Sequence, residues 1–144
     1  MAQRDWVQKH IDRYRATHGE DGHLWGGPDG SLSVPCLLLT TTGRKSGEPQ
    51  TTALIYGRDG DDPVVIASTG GRPDHPLWYY NLTAVPEVQV QIKADVFSAV
   101  AKTVNGPDRD RLWRMMAEIY PPYDEYEERA RPHREIPVVA LRRR

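Results

Sequence analysis

Arg44 and Lys45 stand side by side in Thr40-Thr41-Thr42-Gly43-Arg44-Lys45-Ser46-Gly47, after an apolar run and just before a second strand that Gln50 precedes. Two fixed cations among hydroxyls and glycines at a strand end suit a phosphate or a polycarboxylate, because charge-assisted bonds to oxyanions are the strong ones. The plain alternative is a hairpin tip carrying solubilising charge. A second turn, Ala67-Ser68-Thr69-Gly70-Gly71, leaves an apolar strand and leads into His75-Pro76-Leu77-Trp78-Tyr79-Tyr80-Asn81-Leu82. Its hydroxyls and backbone donors make a second anion-receptive loop opening a helix. On that helix Trp78 can floor a flat cofactor site and Asn81 can bond its polar edge; a core Trp with a capping Asn is the equal alternative. Tyr120, Tyr123 and Tyr126 recur every third residue around Pro121-Pro122. If the prolines open a helical turn, the phenols share one side. They then form either aromatic packing or a pocket mouth that sandwiches a planar substrate and donates to a carbonyl or nitro oxygen. A phenol with a pKa of about 10 stays protonated at neutral pH and can donate when negative charge develops.

Competing chemistries fail on spacing. A nucleotide-hydrolase phosphate loop needs Gly directly before its Lys and a helix after it, whereas Arg44 precedes Lys45 and a strand follows. No pair of spaced glycines opens a helix in the dinucleotide-binding pattern. His10, His18, His23, His75 and His133 never fall into ligand spacing, so no metal is expected. The single Cys36 excludes an internal disulfide and sits in an apolar run as a packed, inert thiol. With 19 basic and 20 acidic residues the chain lacks the bulk charge of a nucleic-acid binder, so any anion site is local.

The elements that must position these groups follow from periodicity. A chain of 144 residues fits one domain, here a helix and Gly-rich connector over 1–30 and a cofactor-binding body over 31–144. Trp6, Val7, His10, Ile11 and Tyr14 make one face of an N-terminal helix. That face either docks on its own domain or lies shallowly on a membrane as a weak peripheral contact. Without an apolar leader or spanning segment, the cytoplasm is the expected compartment, with the inner face of the plasma membrane left open by the helix. A monomer or weak dimer is expected. Gly19 to Gly30 is predicted to be an irregular connector. Strands are predicted over Val34–Thr41, Thr51–Tyr56, Val64–Ala67, Val88–Ile92, Val96–Val104 and Ile136–Leu141, with helices over Pro76–Ala84 and from Gly106 onward. Arg58 to Pro63 is predicted as a hairpin turn, and Arg142-Arg143-Arg144 as a solvated or frayed tail. Connections this short cannot cross over between parallel strands. The fold class is therefore α+β, mainly β, a small antiparallel barrel of about six strands with helices.

Leu39 to Gly47, Ala67 to Gly71, His75 to Leu82, Val88-Gln89-Val90 and Tyr120-Pro121-Pro122-Tyr123, taken in this order, resemble the deazaflavin-dependent nitroreductase and quinone reductase family. The resemblance runs from about Leu37 to the C-terminus. It implies a split β-barrel of the flavin-reductase type and coenzyme F420, a 5-deazaflavin whose phosphate and oligoglutamate tail is polyanionic. It also implies hydride transfer to an electrophilic small-molecule acceptor such as a quinone, an activated alkene or a nitroaromatic. Carried over, Arg44, Lys45 and Ser46 hold the phosphate and tail with Gln50 beside them; Ser68, Thr69 and Gly70 approach the ring, which Trp78 and Asn81 complete. Tyr120, Tyr123 and Tyr126 match the substrate-pocket tyrosines, with Tyr123 the foremost proton donor and solvent its rival. Thr69 stands where Lys or Asn is common, and Ile55 where one branch carries Tyr. An FMN-dependent reductase of the same barrel and a non-catalytic F420 carrier or sensor are the alternatives.

Overall fold

The computed structural model describes residues 2–26 and 30–144, with side chains from residue 7 onward. The Trp6 side chain of the predicted helix face and Gly27 of the predicted connector lie outside that part. The elements are α1 (Ala2–Ala16), β1 (Leu24–Trp25), β2 (Val34–Thr42), β3 (Pro49–Ile55), β4 (Gly57–Asp59), β5 (Asp62–Ile66), a 3₁₀ turn (Thr69–Gly71), α2 (Leu77–Ala84), β6 (Glu87–Ile92), β7 (Asp95–Val104), α3 (Gly106–Ile119), α4 (Pro122–Ala130) and β8 (Val138–Arg143).

All pairings are antiparallel, in the order β3-β2-β6-β7-β8-β5-β4, with β1 added at the start of β2. The two edge strands, β3 and β4, are neighbours in sequence separated only by Tyr56, yet they pair with β2 and β5 rather than with each other. The sheet therefore curls but stays open between them, which is the expected split, mainly β architecture. Alternation along the strands explains the long apolar run of β2. Leu37 and Leu39 point into a cluster with Val65, Val90 and Leu141, while Leu38 on the opposite face is covered by Ile11 and Tyr14 of α1. On the other side of β5, Val64 and Ile66 join Leu112, Met116, Tyr120 and Tyr123. The same alternation thus carries the α3–α4 tyrosines into contact with the sheet.

Three local expectations are corrected. All six expected strands are present, and the described residues add two short ones. One extra strand, β1, lies inside the supposed irregular connector; Leu24 and Trp25 are held by pairing with Pro35 and Val34, and the Cys36 amide donates to the His23 carbonyl at 2.6 Å. The other, β4, shortens the predicted Arg58–Pro63 turn, because Arg58 pairs with Pro63 and Asp59 with Asp62. The arginine tail is not loose at Arg143. It ends β8 in register with Ala99, donates to Asp95 at 2.8 and 3.2 Å, and lies 4.2 Å over the Phe97 ring.

The N-terminal helix docks on the barrel through two of its predicted face residues, Ile11 and Tyr14, which are 3% and 0% exposed. The Tyr14 hydroxyl donates to the Cys36 carbonyl at 3.0 Å and accepts from the Lys93 amide at 2.9 Å. Burial pushes its phenol up to about 12. No helix among the described residues is long and apolar enough to cross a membrane.

Candidate active site

The cationic turn closes between β2 and β3. Gly43 and Glu48 bond across it, and the Gly47 amide returns to the Gly43 carbonyl at 2.8 Å. A Cβ on Gly43 would fall 2.5 Å from the Ser46 hydroxyl oxygen and 3.0 Å from the Gln50 amide nitrogen, so a larger residue here would push both side chains out of place. Arg44 and Lys45 are exposed and take part in no ion pair among the described residues. Arg44 lies 5.3 Å over the Tyr80 ring. With Ser46, Gln50, Leu77 and Asn81 they line a cavity of about 200 Å³.

Asn81 ties this cavity together. It is only 4% exposed, and its side-chain oxygen accepts from the Arg44 amide at 3.1 Å. Its amide nitrogen donates to the Thr41 hydroxyl at 3.1 Å and the Gln50 side-chain oxygen at 2.9 Å. One side chain on α2 thus sets the position of β2, β3 and the cationic turn. Replacing it with alanine leaves a buried hydroxyl and an amide without partners, at about 1–3 kcal/mol each. We expect Asn81→Ala to lower stability by ~2–4 kcal/mol in urea unfolding and to weaken cofactor binding in parallel, by fluorescence titration.

The second cavity, of about 300 Å³, is predominantly apolar in its lining residues. Ser68 and Gly70 of the second turn, Ile55 at the end of β3, Cys36, Trp25 and all three tyrosines face it, together with Val7 and His10 of α1. Gly70 has open space where a Cβ would stand, so a ligand can come close to its backbone. Trp78 lines neither cavity and packs half-buried against the barrel core beside Tyr79. Thr69 does not line the apolar cavity either; its hydroxyl donates to the Asp74 carbonyl at 3.0 Å. Cys36 is buried, and desolvation pushes its thiol up to about 12, which keeps it an inert part of the wall.

Tyr120 ends α3, while Tyr123 and Tyr126 lie on α4, which opens at Pro122. Ring centroids are 5.1 Å apart for Tyr120 and Tyr123, and 6.2 Å for each pairing with Tyr126. The Tyr120 and Tyr126 hydroxyls bond each other at 3.2 Å. The Tyr123 hydroxyl has no partner among the described residues, yet it is not among their sealed unsatisfied atoms. Desolvation raises the Tyr120 and Tyr123 phenols well above the ordinary value, so both stay protonated.

A family model described as F420H(2)-dependent quinone reductase matches residues 6–143. The chain belongs to this family. An F420H(2)-dependent quinone reductase of Mycobacterium tuberculosis is 40% identical over 151 residues, spanning 96% of this chain and 97% of that relative. A solved F420-H2 dependent reductase (FDR-A) is 38% identical with a TM-score of 0.68, over 74% of this chain and 93% of its own. Another solved structure, described as a domain-swapped dimer, is 34% identical with a TM-score of 0.70, over 96% and 98%.

The residues present fit the family's F420 cofactor. An anionic tail needs unpaired cations on a tight, donor-rich turn, and Arg44 and Lys45 on the Gly43 turn supply them. A flat ring needs an apolar wall with a backbone it can approach, and the Ser68–Gly70 side of the larger cavity supplies that. Sequence reasoning assigned no role to Arg134 and Arg129, which bond the second turn directly, or to His75, which bonds Arg134. Arg129 donates to the Gly70 carbonyl at 2.9 Å. Arg134 donates to the His75 ring nitrogen Nδ1 at 2.9 Å, which places the His75 proton on Nε2. Burial and the Arg134 cation hold His75 below the usual histidine value, against the opposing pull of Asp74. Nothing in the charged run from Arg129 to Glu135 marks Arg134 apart from its solvated neighbours.

Proposed function

We propose that this protein catalyses two-electron reduction of a quinone-class acceptor, with reduced coenzyme F420 supplying the hydride from its deazaflavin ring when bound. The observation that carries the reading is the division between two cavities, one cationic around Arg44 and Lys45 and one apolar around Ser68, Gly70 and three phenols. Family membership supports the same reaction class.

In this reading Arg44, Lys45 and Ser46 hold the phosphate and tail, and Gln50 stands beside them under the control of Asn81. Ser68 presents its hydroxyl to the ring, and Ser68, Thr69 and Gly70 present backbone donors, the Thr69 hydroxyl being held by Asp74 and Arg134. The apolar lining excludes water and strengthens each hydrogen bond made inside it. A quinone that accepts a hydride gains negative charge on oxygen and then needs one proton. The Tyr123 hydroxyl, unpartnered and protonated, donates to that oxygen, while the Tyr120–Tyr126 pair fixes the wall beside it. Ile55 gives this wall an aliphatic surface, which favours planar apolar acceptors.

Anaerobic mixing of the protein with reduced F420 and menadione tests the reading. We expect oxidation of the deazaflavin that depends on both protein and acceptor. Binding of FMN in place of F420, or binding of F420 without acceptor-dependent turnover, would overturn it in favour of a flavin enzyme or a carrier.

A further inference from the structure

Arg134 is a half-buried arginine that forms no ion pair among the described residues. Its Nε donates to the Arg72 carbonyl at 2.9 Å, Nη1 to the Ala67 carbonyl at 3.0 Å and His75 Nδ1 at 2.9 Å, and Nη2 to the Ser68 carbonyl at 2.8 Å and the Thr69 hydroxyl at 2.9 Å. A guanidinium has five N–H donors in a rigid fork. All five are used here, each on a neutral acceptor, and four of the five acceptors belong to the single turn 67–72.

That turn needs holding. Thr69, Gly70 and Gly71 have φ of 41°, 62° and 82°, a run of left-handed backbone that a β-branched threonine strongly resists. Thr69 stays there because its hydroxyl is engaged twice, donating to the Asp74 carbonyl and accepting from Arg134. Gly71 is pressed against α4, where a Cβ would come 2.8 Å from the Tyr126 carbonyl oxygen. Because a trans peptide directs its C=O and N–H oppositely, drawing the Ala67 and Ser68 carbonyls onto Arg134 turns the Ser68 and Thr69 amides away from the cation.

We propose that Arg134 is a positioning residue: it fixes the strained 67–72 turn and thereby presents that turn's donors to the deazaflavin ring. The second half rests on the assignment of this turn to the ring made above. Arg134 touches neither cofactor nor substrate in this scheme. Its charge alone does not suffice, since a lysine keeps the charge but offers only three donors without the planar fork.

The test compares Arg134→Lys with the wild-type protein, using amide hydrogen exchange over residues 68–72 without cofactor, and affinities for intact F420 and for the ribityl deazaflavin lacking phosphate and tail. We expect faster exchange in the turn and a loss of about tenfold in affinity, the same factor for both ligands. Thr69→Val, which removes one acceptor but keeps the β-branched shape, is expected to move both readouts in the same direction by less and covers the case in which Arg134→Lys does not fold. Unchanged exchange in the folded variants overturns the positioning role. Faster exchange with unchanged affinity for the tail-free deazaflavin keeps Arg134 as the clamp and overturns instead the assignment of this turn to the ring.

Discussion

Arg44→Ala combined with Lys45→Ala is expected to weaken binding of intact F420 by about 100-fold or more while leaving affinity for the tail-free deazaflavin within about twofold. Each cation lost removes a charge-assisted contact of about 1.5–3 kcal/mol. Exposure of the turn and screening by salt bring the pair toward the lower end of that range. The free protein should barely notice, because among the described residues neither cation is in an ion pair and their one ring contact is Arg44 over Tyr80; exposed changes of this kind shift stability by about 0.5 kcal/mol or less. Raising salt should erode wild-type affinity for F420 and hardly alter that of the double variant. Fluorescence titration at two salt concentrations reads all of these quantities. Unchanged binding of intact F420 would remove the tail from this turn.

The two-ligand design also separates the halves of the site. A defect confined to tailed F420 belongs to the Gly43–Ser46 turn, whereas a defect shared by both ligands belongs to the Ser68–Gly71 turn. Asn81 sits between these cases. Its bonds reach the Arg44 amide, Thr41 and Gln50, so its loss should follow the pattern of the cationic turn rather than that of the ring.

What could be read from the sequence was local chemistry and strand alternation. Leu37 to Leu39 alternate between two covered faces, so the apolar run announced a central strand. Gly43 beside Arg44 announced a tight cationic turn, and the three-residue spacing of tyrosines put them on one wall of one cavity. What stayed hidden depends on partners outside the local pattern. Strand β1 exists because Pro35 and Val34 accept it, not because Leu24 and Trp25 demand a strand. Asn81 had two readings on α2, a ring contact or a cap, and neither spacing nor composition could reveal partners 31 to 40 residues away. Arg134 is the extreme case: three of its five acceptors are backbone carbonyls, which carry no signature in the sequence.

Tyr123→Phe is expected to lower kcat with menadione by about 10- to 100-fold while leaving F420 affinity and the fold intact. Removing one preorganised donor from a developing oxyanion typically costs 10²–10³ in kcat, and access of water to the cavity mouth offsets part of that here. Tyr123 is singled out because its hydroxyl has no partner among the described residues, whereas the Tyr120 and Tyr126 hydroxyls are held in one mutual bond, one donating and the other accepting. Burial raises its pKa above the ordinary value near 10. The sign of the consequence is definite: the phenol is protonated in both folded and unfolded chains at neutral pH and adds no pH dependence to stability there. Above pH 10 the unfolded chain releases the proton first, so stability falls on this account as pH rises toward the folded value. The rate should accordingly show no basic limb from Tyr123 between pH 6 and 9, and Tyr123→Phe should lower the whole profile without bending it. A raised pKa also makes the phenol a weaker acid, so its contribution is a hydrogen bond that strengthens as charge builds on the acceptor oxygen, completed by proton transfer only as that oxygen becomes the stronger base. Single-turnover oxidation of the reduced cofactor separates this from binding: a slowed transfer step at unchanged affinity supports Tyr123 as the donor, and an unchanged step gives the role to solvent.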